Sequence, residues 1–549
     1  MDFKDIKNKY QLASFLGIEY RILTYVLFSK KTLANYKTFE VPKKNGGTRC
    51  INAPIEPLKG IQRRLAKKLI KIQEEHYLKN SIVQGFTRKR GIISNAKNHR
   101  NKKFIINMDL ENFFNSIHFG RVKGYFHKNK HFELPDEIAG CLANLVCYNG
   151  ILPQGAPSSP VITNLICAIM DRRIATVAKK YKMTYTRYAD DLTFSTNLPT
   201  FIDKQTSFFI EIGRIVEENG FALNLKKTRI SLRDSRQEVT GLVVNRKIGV
   251  KREFYKLTRA MLDHIFKGEY CEFSMNEIEG RLAFINQIDL YNNHHNGIIK
   301  NINKDNFNAR EKQYQLFLFY KYFCHPEKPI IFTEGKTDVI YIRSALKKYY
   351  SWYPNLIQRR ADDSFEFLVS FLRRTPRLEF FLGISPDGAD SMKKFSDFYI
   401  KKQSIFNFFK AKNIELTNPV ILVFDNENVE GRPLRGFLKN AKKDLVDGQL
   451  SIHVTDNLYL ATIPLVNNKS TCEMEDLFDD EVLNHVIDGK TFSRKDGDRN
   501  KNYGKHIFSQ YVLHNYKSIN FKNFKPLLDS IDAVVKGFNK EKGCLVEDA

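Results

Sequence analysis

Residues 183–196 read MTYTRYADDLTFST. Polar and apolar positions alternate through this stretch as in a half-buried hairpin, and two adjacent acids, Asp190 and Asp191, fall at its turn. Neighbouring strand residues point to opposite faces, so Asp190 is the stronger candidate to face a common site, while Asp191 relies on the turn to bring it round. Earlier in the chain, KKFIINMDL (102–110) has the apolar run of a buried strand, with Asp109 at its exit end. Three acids so placed have the arrangement needed to hold two divalent cations ~4 Å apart. Such ions, Mg2+ or Mn2+, would activate a hydroxyl nucleophile and neutralise a departing pyrophosphate.

The chain has 549 residues, too many for one core, so two or three domains are expected. Its hydrophobic content of 42% is ample for globular packing. Lys and Arg number 88 against 61 Asp and Glu, a formal net charge of +27. An excess of that size repels itself unless a polyanion is near, which favours nucleic acid as partner over an unengaged basic surface. Eight cysteines occur without a Cys-x2-Cys pair, against a zinc ribbon or a disulfide framework and for a reducing cytoplasm. The start, MDFKDIKNKY, is not a signal peptide, and no run of ~18 apolar residues suggests a membrane span.

VPKKNGGTRCINAP (41–54) reads as strand-turn-strand, with Asn45-Gly46-Gly47 supplying positive φ, and a long amphipathic helix is expected from about Leu58 to Leu78. QEVTGLVVN (237–245) continues an α+β pattern, and residues 251–323 read mostly as helices. Two prolines and charges in CHPEKP (324–329) mark a boundary. Beyond it PIIFTEG (329–335), LEFFLGIS (378–385), PVILVFDNE (419–427) and LYLATIPL (458–465) read as four strands with helices between them. That pattern predicts a parallel sheet covered on both faces, followed by a polar, Lys-rich extension over 481–549.

YADD (188–191), the strand-end Asp109 and PQGAPSSP (153–160) stand in the order found in reverse transcriptases, and the first 320 residues resemble that family. The resemblance implies a right-hand polymerase, with fingers and palm to about 247 and a helical thumb over about 248–320. It also implies catalytic, metal-holding roles for Asp109, Asp190 and Asp191, and dNTP substrates. Phe114 matches the family's steric gate against a ribose 2′-hydroxyl, with a core aromatic as the alternative. Gln154 and Ala156 match the segment lining the incoming nucleotide. Lys44 and Arg49, in KKNGGTR (43–49), look like fingers contacts to the triphosphate, a task suited to the planar fork of Arg. Lys227, in LNLKKT (223–228), resembles the basic residue near the leaving phosphates.

NAKNH (95–99) fits an Asn-Ala-x-x-His pattern, and VTG (239–241) precedes the helical segment. Together they resemble the signatures of retron reverse transcriptases, bacterial enzymes that copy a dedicated non-coding RNA (msr/msd) into branched msDNA from a guanosine 2′-hydroxyl. The resemblance implies RNA recognition through Asn95, His99, Val239, Thr240, Gly241 and the thumb. Asn95 and His99 are four apart and share a helical face, from which they could bond RNA or brace local backbone. Neither a maturase endonuclease nor an RNase H pattern is recognisable after residue 320.

FTEGKTDVIY (332–341) contains Gly-Lys-Thr, but a phosphate-binding loop needs a second glycine where Ile330 stands. Its acids fit better as metal ligands. Glu334 ends one strand, and Asp425 and Glu427 follow another, at the carboxyl ends where open α/β sheets place their chemistry. On an extended strand, residues two apart face the same way, so Asp425 and Glu427 can converge on one Mg2+ or Mn2+. Acid-Gly at a strand end, Asp338 at the next helix start and Asp-x-Glu after a later strand resemble the Toprim domain. The match covers 329–480 after a linker at 321–328, with an insertion at about 350–377. Gly335, Asp338, Glu475 and Asp476 are possible support, Lys336 a possible phosphate contact, and Asp387, Asp390 and Glu473 either helix caps or further ligands.

The expected fold is thus multidomain α+β and α/β, a right-hand polymerase followed by a Toprim-like parallel sheet. The expected function is an RNA-directed DNA polymerase joined to a metal-dependent nuclease acting in defence against phage. An inert nucleic-acid-binding module in place of the nuclease, or an RNA-binding scaffold with vestigial sites, are the alternatives, and a homo-oligomer is left open.

Overall fold

The computed structural model describes residues 2–29, 35–43, 46–77, 82–293, 307–385, 390–401, 404–494 and 501–547. The chain divides into two units, Met1–Tyr255 with Gln287–Ile298, and Lys256–Asn286 with Ile299–Ala549. Among the described residues no helix is long and apolar enough to cross a membrane.

In the first unit, β1 (Tyr36–Pro42) and β2 (Thr48–Pro54) form the expected hairpin. Gly46 and Gly47 in its turn have φ of 85° and 77°, left-handed values that glycine adopts without steric cost. The helices are α1 (Lys9–Leu16), α2 (Tyr20–Thr24), α3 (Leu58–His76), α4 (Ile92–Asn98), α5 (Phe119–Lys128), α6 (Asp136–Val146), α7 (Ser159–Lys180) and α8 (Phe201–Glu218). Leu58, Ile61, Leu65, Ala66 and Leu69 recur at helical spacing on α3 and are buried, which is why this segment is an amphipathic helix.

The central sheet runs β4 (Thr184–Tyr188), β5 (Asp191–Thr196), β3 (Phe104–Glu111), β6 (Ala222–Leu223), with β7 (Arg229–Leu232) also paired to β3. All pairings are antiparallel. On β3, Phe104, Ile105, Ile106, Met108 and Leu110 are buried, so the strand is covered on both faces and its acid is left at the end. β8 (Glu238–Val239) and β9 (Leu242–Val243) form a short hairpin whose turn residues, Thr240 and Gly241, have φ of 46° and 81°. Two successive positive φ values are those of a type I′ turn, which matches the twist of the flanking strands.

The unit boundary falls within α9 (Arg252–Ile265). Met261, Leu262 and Ile265 of α9, Phe266 just beyond it, Ile278 and Leu282 of α10 (Met275–Asn293), and Tyr314, Phe317 and Phe319 of α11 (Ala309–Phe319) share a core with Ile330, Phe332, Leu422 and Phe424. The helical segment expected to belong to the polymerase half therefore packs with the sheet that follows it. The stretch 321–328, expected as a linker, contains fully buried Phe323 and Cys324, whose side chains draw it into that core.

The second unit's sheet has the order β13 (Ser370–Phe371), β10 (Ile330–Thr333), β14 (Val420–Phe424), β16 (Leu458–Thr462), β15 (Ser451–Thr455). The first four strands are parallel and β15 is an antiparallel edge. Phe332 and Leu422 enter one core, and Ile331, Ile421, Val423 and Ala461 the other, so both faces are covered as predicted. A hairpin of β11 (Ile357–Arg359) and β12 (Phe365–Phe367) precedes β13, within the expected insertion, which thus also supplies an edge strand.

LEFFLGIS is not a strand. Most of it forms α13 (Pro376–Leu382), with the Thr375 hydroxyl accepting a hydrogen bond from Leu378 N, Pro376 in the first turn and Gly383 at φ 67° beyond the end. Leu378, Phe381 and Leu382 are buried, the i, i+3, i+4 spacing of a helix face. The sequence from 481 onward is not a polar tail either. After α12 (Lys336–Lys348), α14 (Asp390–Ile400), α15 (Ile405–Lys410), α16 (Pro433–Ala441) and α17 (Asp480–Leu483), the chain pairs β17 (Thr491–Phe492) with β18 (Asn502–Tyr503) and continues as α18 (Lys505–Asn515) and α19 (Lys525–Glu547). Phe508, Val512, Phe521, Phe524, Leu527, Leu528 and Ile531 of this segment are buried in the core that also holds Ile331, Ile421 and Val423.

Candidate active site

The first site is built where β3, β4 and β5 end. Asp109 lies directly opposite Asp191 in the β3–β5 register, and Asp190 occupies the β4–β5 turn, its carbonyl accepting a 3.0 Å hydrogen bond from Leu110 N. The expected meeting of three acids at one sheet edge is therefore present. Lys227 Nζ donates to both carboxylate oxygens of Asp109, at 3.1 and 2.9 Å. Burial, and then the charge of Asp109, push Asp190 above the ordinary aspartate value. Asp191, although exposed at the start of β5, is pushed up by partial desolvation at this crowded edge and by the charges of Asp190 and Asp109.

Among the described residues, no three carboxylate, histidine or cysteine side chains stand as a ready-made metal cluster. The donor chemistry nevertheless suits a hard divalent cation: the donors are oxygens, and the Lys227 ammonium already sits on Asp109 where a cation would neutralise it.

The remaining predicted residues surround this edge in different ways. Arg49 is exposed on β2 and its charge lowers the Asp190 value, which places it within electrostatic reach of the acids. Gln154 is half-buried, its carbonyl accepting a 2.8 Å hydrogen bond from Asn52 N of β2, while Ala156 is buried. Between them Gly155 has φ 118°, and a Cβ there would lie 2.7 Å from the Ile51 side chain, so only glycine allows this close approach. Phe114 is half-buried beside Phe113 and Phe86, with ring centroids 5.4 and 6.4 Å away; the core aromatic at this point is Phe113, 4% exposed. Lys44 lies outside the described residues.

Asn95 and His99 are not at a surface. Both are 0% exposed, so neither offers RNA a contact. His99 Nδ1 is 2.8 Å from Ser195 Oγ and Nε2 is 2.7 Å from Thr186 Oγ1, while the Thr186 hydroxyl donates to Asn95 Oδ1 at 2.6 Å. The two side chains thus tie α4 to β4 and β5, the strands that carry YADD. Burial, then the nearby Lys102 charge, lower His99 to about 3, so it bridges these hydroxyls as a neutral ring. In the VTG turn Val239 is buried, Thr240 half-buried and Gly241 exposed. α4 also packs on β8 and β9, so the two signatures form one block beside the palm sheet.

Beneath the aspartate turn lies a buried pair that no motif marks. Arg187 and Asp171, 0% and 5% exposed at the side chain, form a buried ion pair in which Arg187 Nη2 meets Asp171 Oδ2 at 2.8 Å. The signal was present, since RYADD places an arginine two residues before the turn that carries the acids.

The second unit gathers another set of carboxylates at the carboxyl ends of β10 and β14 and in the turn after β16. Glu334 Oε1 accepts from Asp425 N at 3.1 Å, Asp338 Oδ2 from Gly335 N at 2.6 Å, and Asp425 Oδ1 from Met474 N at 2.9 Å. Burial pushes Glu334 up to about 7, and it raises Asp338, Asp425 and Glu475 as well; the charges of Asp338, Glu334 and Glu475 raise Asp425 further. β14 ends at Phe424, so Asp425 and Glu427 do not share a strand face; Glu427 pairs with Arg432 at 3.3 Å. Lys505, from the segment read as a tail, donates to Glu475 at 3.0 Å and to Glu473 at 3.3 Å. Asp476 is occupied by Arg494 and Lys469, which hold it at about 2 against the upward push of burial, so it is spent on ion pairs. Lys336 is exposed, and Asp387 and the Asp390 side chain lie outside what is described.

The family described as reverse transcriptase (RNA-dependent DNA polymerase) matches residues 41–253, within the first unit. The retron Mx65 reverse transcriptase of Myxococcus xanthus is 32% identical over 300 residues, covering 52% of this chain and 69% of the relative. The retron Ec86 reverse transcriptase of Escherichia coli is 37% identical over 257 residues, covering 46% of this chain and 77% of the relative. Among solved structures, the telomerase of Candida albicans aligns at a TM-score of 0.31 and 12% identity, over 52% of this chain and 60% of that one. On the retron relatives and the matched family, the chain belongs to the retron reverse transcriptases, RNA-directed DNA polymerases.

Proposed function

We propose that the first unit extends DNA on a cognate structured RNA, with Asp109, Asp190 and Asp191 as its catalytic carboxylates and a branched RNA–DNA molecule as its product. The observation that carries this is the register that sets Asp109 opposite Asp191 with Asp190 in the adjoining turn. These three acids would hold Mg2+, which when bound supplies activation of the primer hydroxyl and charge neutralisation at the leaving pyrophosphate. Arg49 would pair with triphosphate oxygens through its fork, and Lys227, released from Asp109, would meet the pyrophosphate. Phe114, half-buried rather than sealed in the core, remains suited to gate the sugar. The buried positions of Asn95 and His99 favour a bracing role, leaving RNA contact to the VTG turn and the helical segment after it.

We further propose that the second unit is a Toprim-like, metal-dependent nuclease that serves in defence against phage. In its support, Glu334, Asp338, Asp425 and Glu475 crowd one sheet edge, with Lys505 the cation nearest Glu475. Four neighbouring carboxylates facing two cations, Lys505 and Arg374, leave an excess of negative charge that favours a bound cation. Glu334→Gln and Asp425→Asn should abolish protection of cells while DNA synthesis by the purified protein stays within twofold of the native rate. Protection by both variants would remove the effector assignment and leave the polymerase reading untouched.

A further inference from the structure

We infer that the buried Arg187–Asp171 pair is a positioning device for the aspartate turn. Every arm of the Arg187 guanidinium is engaged. Nε donates to Asp171 Oδ1 and Oδ2 at 2.9 and 3.1 Å, and Nη2 donates to Oδ2 at 2.8 Å. Nη1 donates to Asn164 Oδ1 at 3.2 Å and to the carbonyl of Ala189 at 3.1 Å. Asp171 also accepts from the Tyr185 hydroxyl at 2.9 Å, so α7 grips β4 at two side chains.

Ala189 directly precedes the two acids. Its φ of 57° is left-handed, a conformation a residue with a Cβ keeps only when its surroundings over-determine it. Two contacts do so here, and a third residue ties them together. Arg187 holds the Ala189 carbonyl from below. Gly85 lies so close that a Cβ on it would stand 2.7 Å from Ala189 N, which walls the turn from the side. Asn164 Nδ2 donates to the Gly85 carbonyl at 3.0 Å while its Oδ1 receives Arg187, tying that wall to the same guanidinium. Asp190 and Asp191 follow directly, so the direction in which their carboxylates leave the turn is set by this clamp.

A merely stabilising ion pair would not need such an arrangement. A buried pair can be replaced by apolar residues of similar volume at little cost to the fold. Apolar replacements cannot supply the donor to Ala189 O. Lysine would keep the charge opposite Asp171 but, as a compact point charge, cannot serve Asp171, Asn164 and Ala189 together.

The test is single-nucleotide incorporation on an RNA template by the full chain carrying Arg187→Met with Asp171→Leu. Folding is checked by thermal melting. The double variant should fold, bind primer–template and dNTP with constants within about threefold of native, and lose kcat on the order of 10²-fold, the cost of an ångström-scale misplacement. Arg187→Lys should fold and lose kcat by about tenfold. A folded double variant with native kcat overturns the inference, as does an Arg187→Lys enzyme of native kcat where the double variant does not fold. Failure of both variants to fold would assign the pair to stability and overturn it as well.

Discussion

Replacing His99 by alanine separates a brace from an RNA contact. The ring fills a site of 0% exposure and satisfies Ser195 and Thr186, which are 1% exposed. Removing it orphans the Ser195 hydroxyl, a loss of ~1–3 kcal/mol, and leaves a cavity of aromatic size. The two together come to ~3–5 kcal/mol, by analogy with large-to-small core substitutions. For a unit of this length ~1 kcal/mol shifts the midpoint by roughly 2–4 °C, so its melting transition should fall by roughly 10 °C. The assay is differential scanning calorimetry with the two units' transitions resolved, alongside cognate-RNA binding measured well below either midpoint. The brace predicts RNA affinity within twofold of native in the folded variant. An unchanged midpoint with RNA binding lost would refute the reasoning.

Two further outcomes follow. Held neutral, His99 titrates at about 3 in the folded chain against an ordinary value of 6.5, so the unfolded chain binds a proton first as pH falls. Its contribution to stability is therefore present above about 6.5 and drains between there and about 3, at up to ~1.4 kcal/mol per pH unit, and His99→Ala should flatten that acid limb in urea titrations. Removing residues 504–549 strips from the sheet the seven fully buried apolar side chains Phe508, Val512, Phe521, Phe524, Leu527, Leu528 and Ile531, and the nearly buried Ile519 with them. At ~1.5–3 kcal/mol each this equals or exceeds the whole stability of a typical domain, so the second unit should lose its cooperative transition and become protease-sensitive.

Local pattern made the palm legible. The alternation around YADD and the apolar run before Asp109 belong to strands whose pairing is decided within the sheet, and the Asn-Gly-Gly turn needs positive φ wherever it occurs. Burial of polar residues was harder to read. Asn95 and His99 sit on a helix face that looks solvent-ready until Thr186 and Ser195, some ninety residues away in sequence, are seen to close on it. Arg187 was overlooked because its partner Asp171 lies on another element, α7. LEFFLGIS was misread because a short apolar run fits strand and helix alike; Thr375, Pro376 and Gly383 were the caps that decide it. The C-terminal segment reads as a tail because its first part is polar, with Lys490, Lys495, Lys501 and Lys505 spread among few hydrophobic residues, although Leu527, Leu528 and Ile531 further on keep helical spacing. The second acidic cluster was found through strand ends, but its Lys505 came from that misread segment.

The most direct test of the account is deoxynucleotide incorporation by the purified full chain on an RNA template with Mg2+, native against Asp190→Asn. The three-acid edge predicts extension by the native chain and a loss of at least ~10³-fold in the variant with its melting profile unchanged, a barrier increase of ~4 kcal/mol. Undiminished extension by a folded Asp190→Asn chain would contradict it.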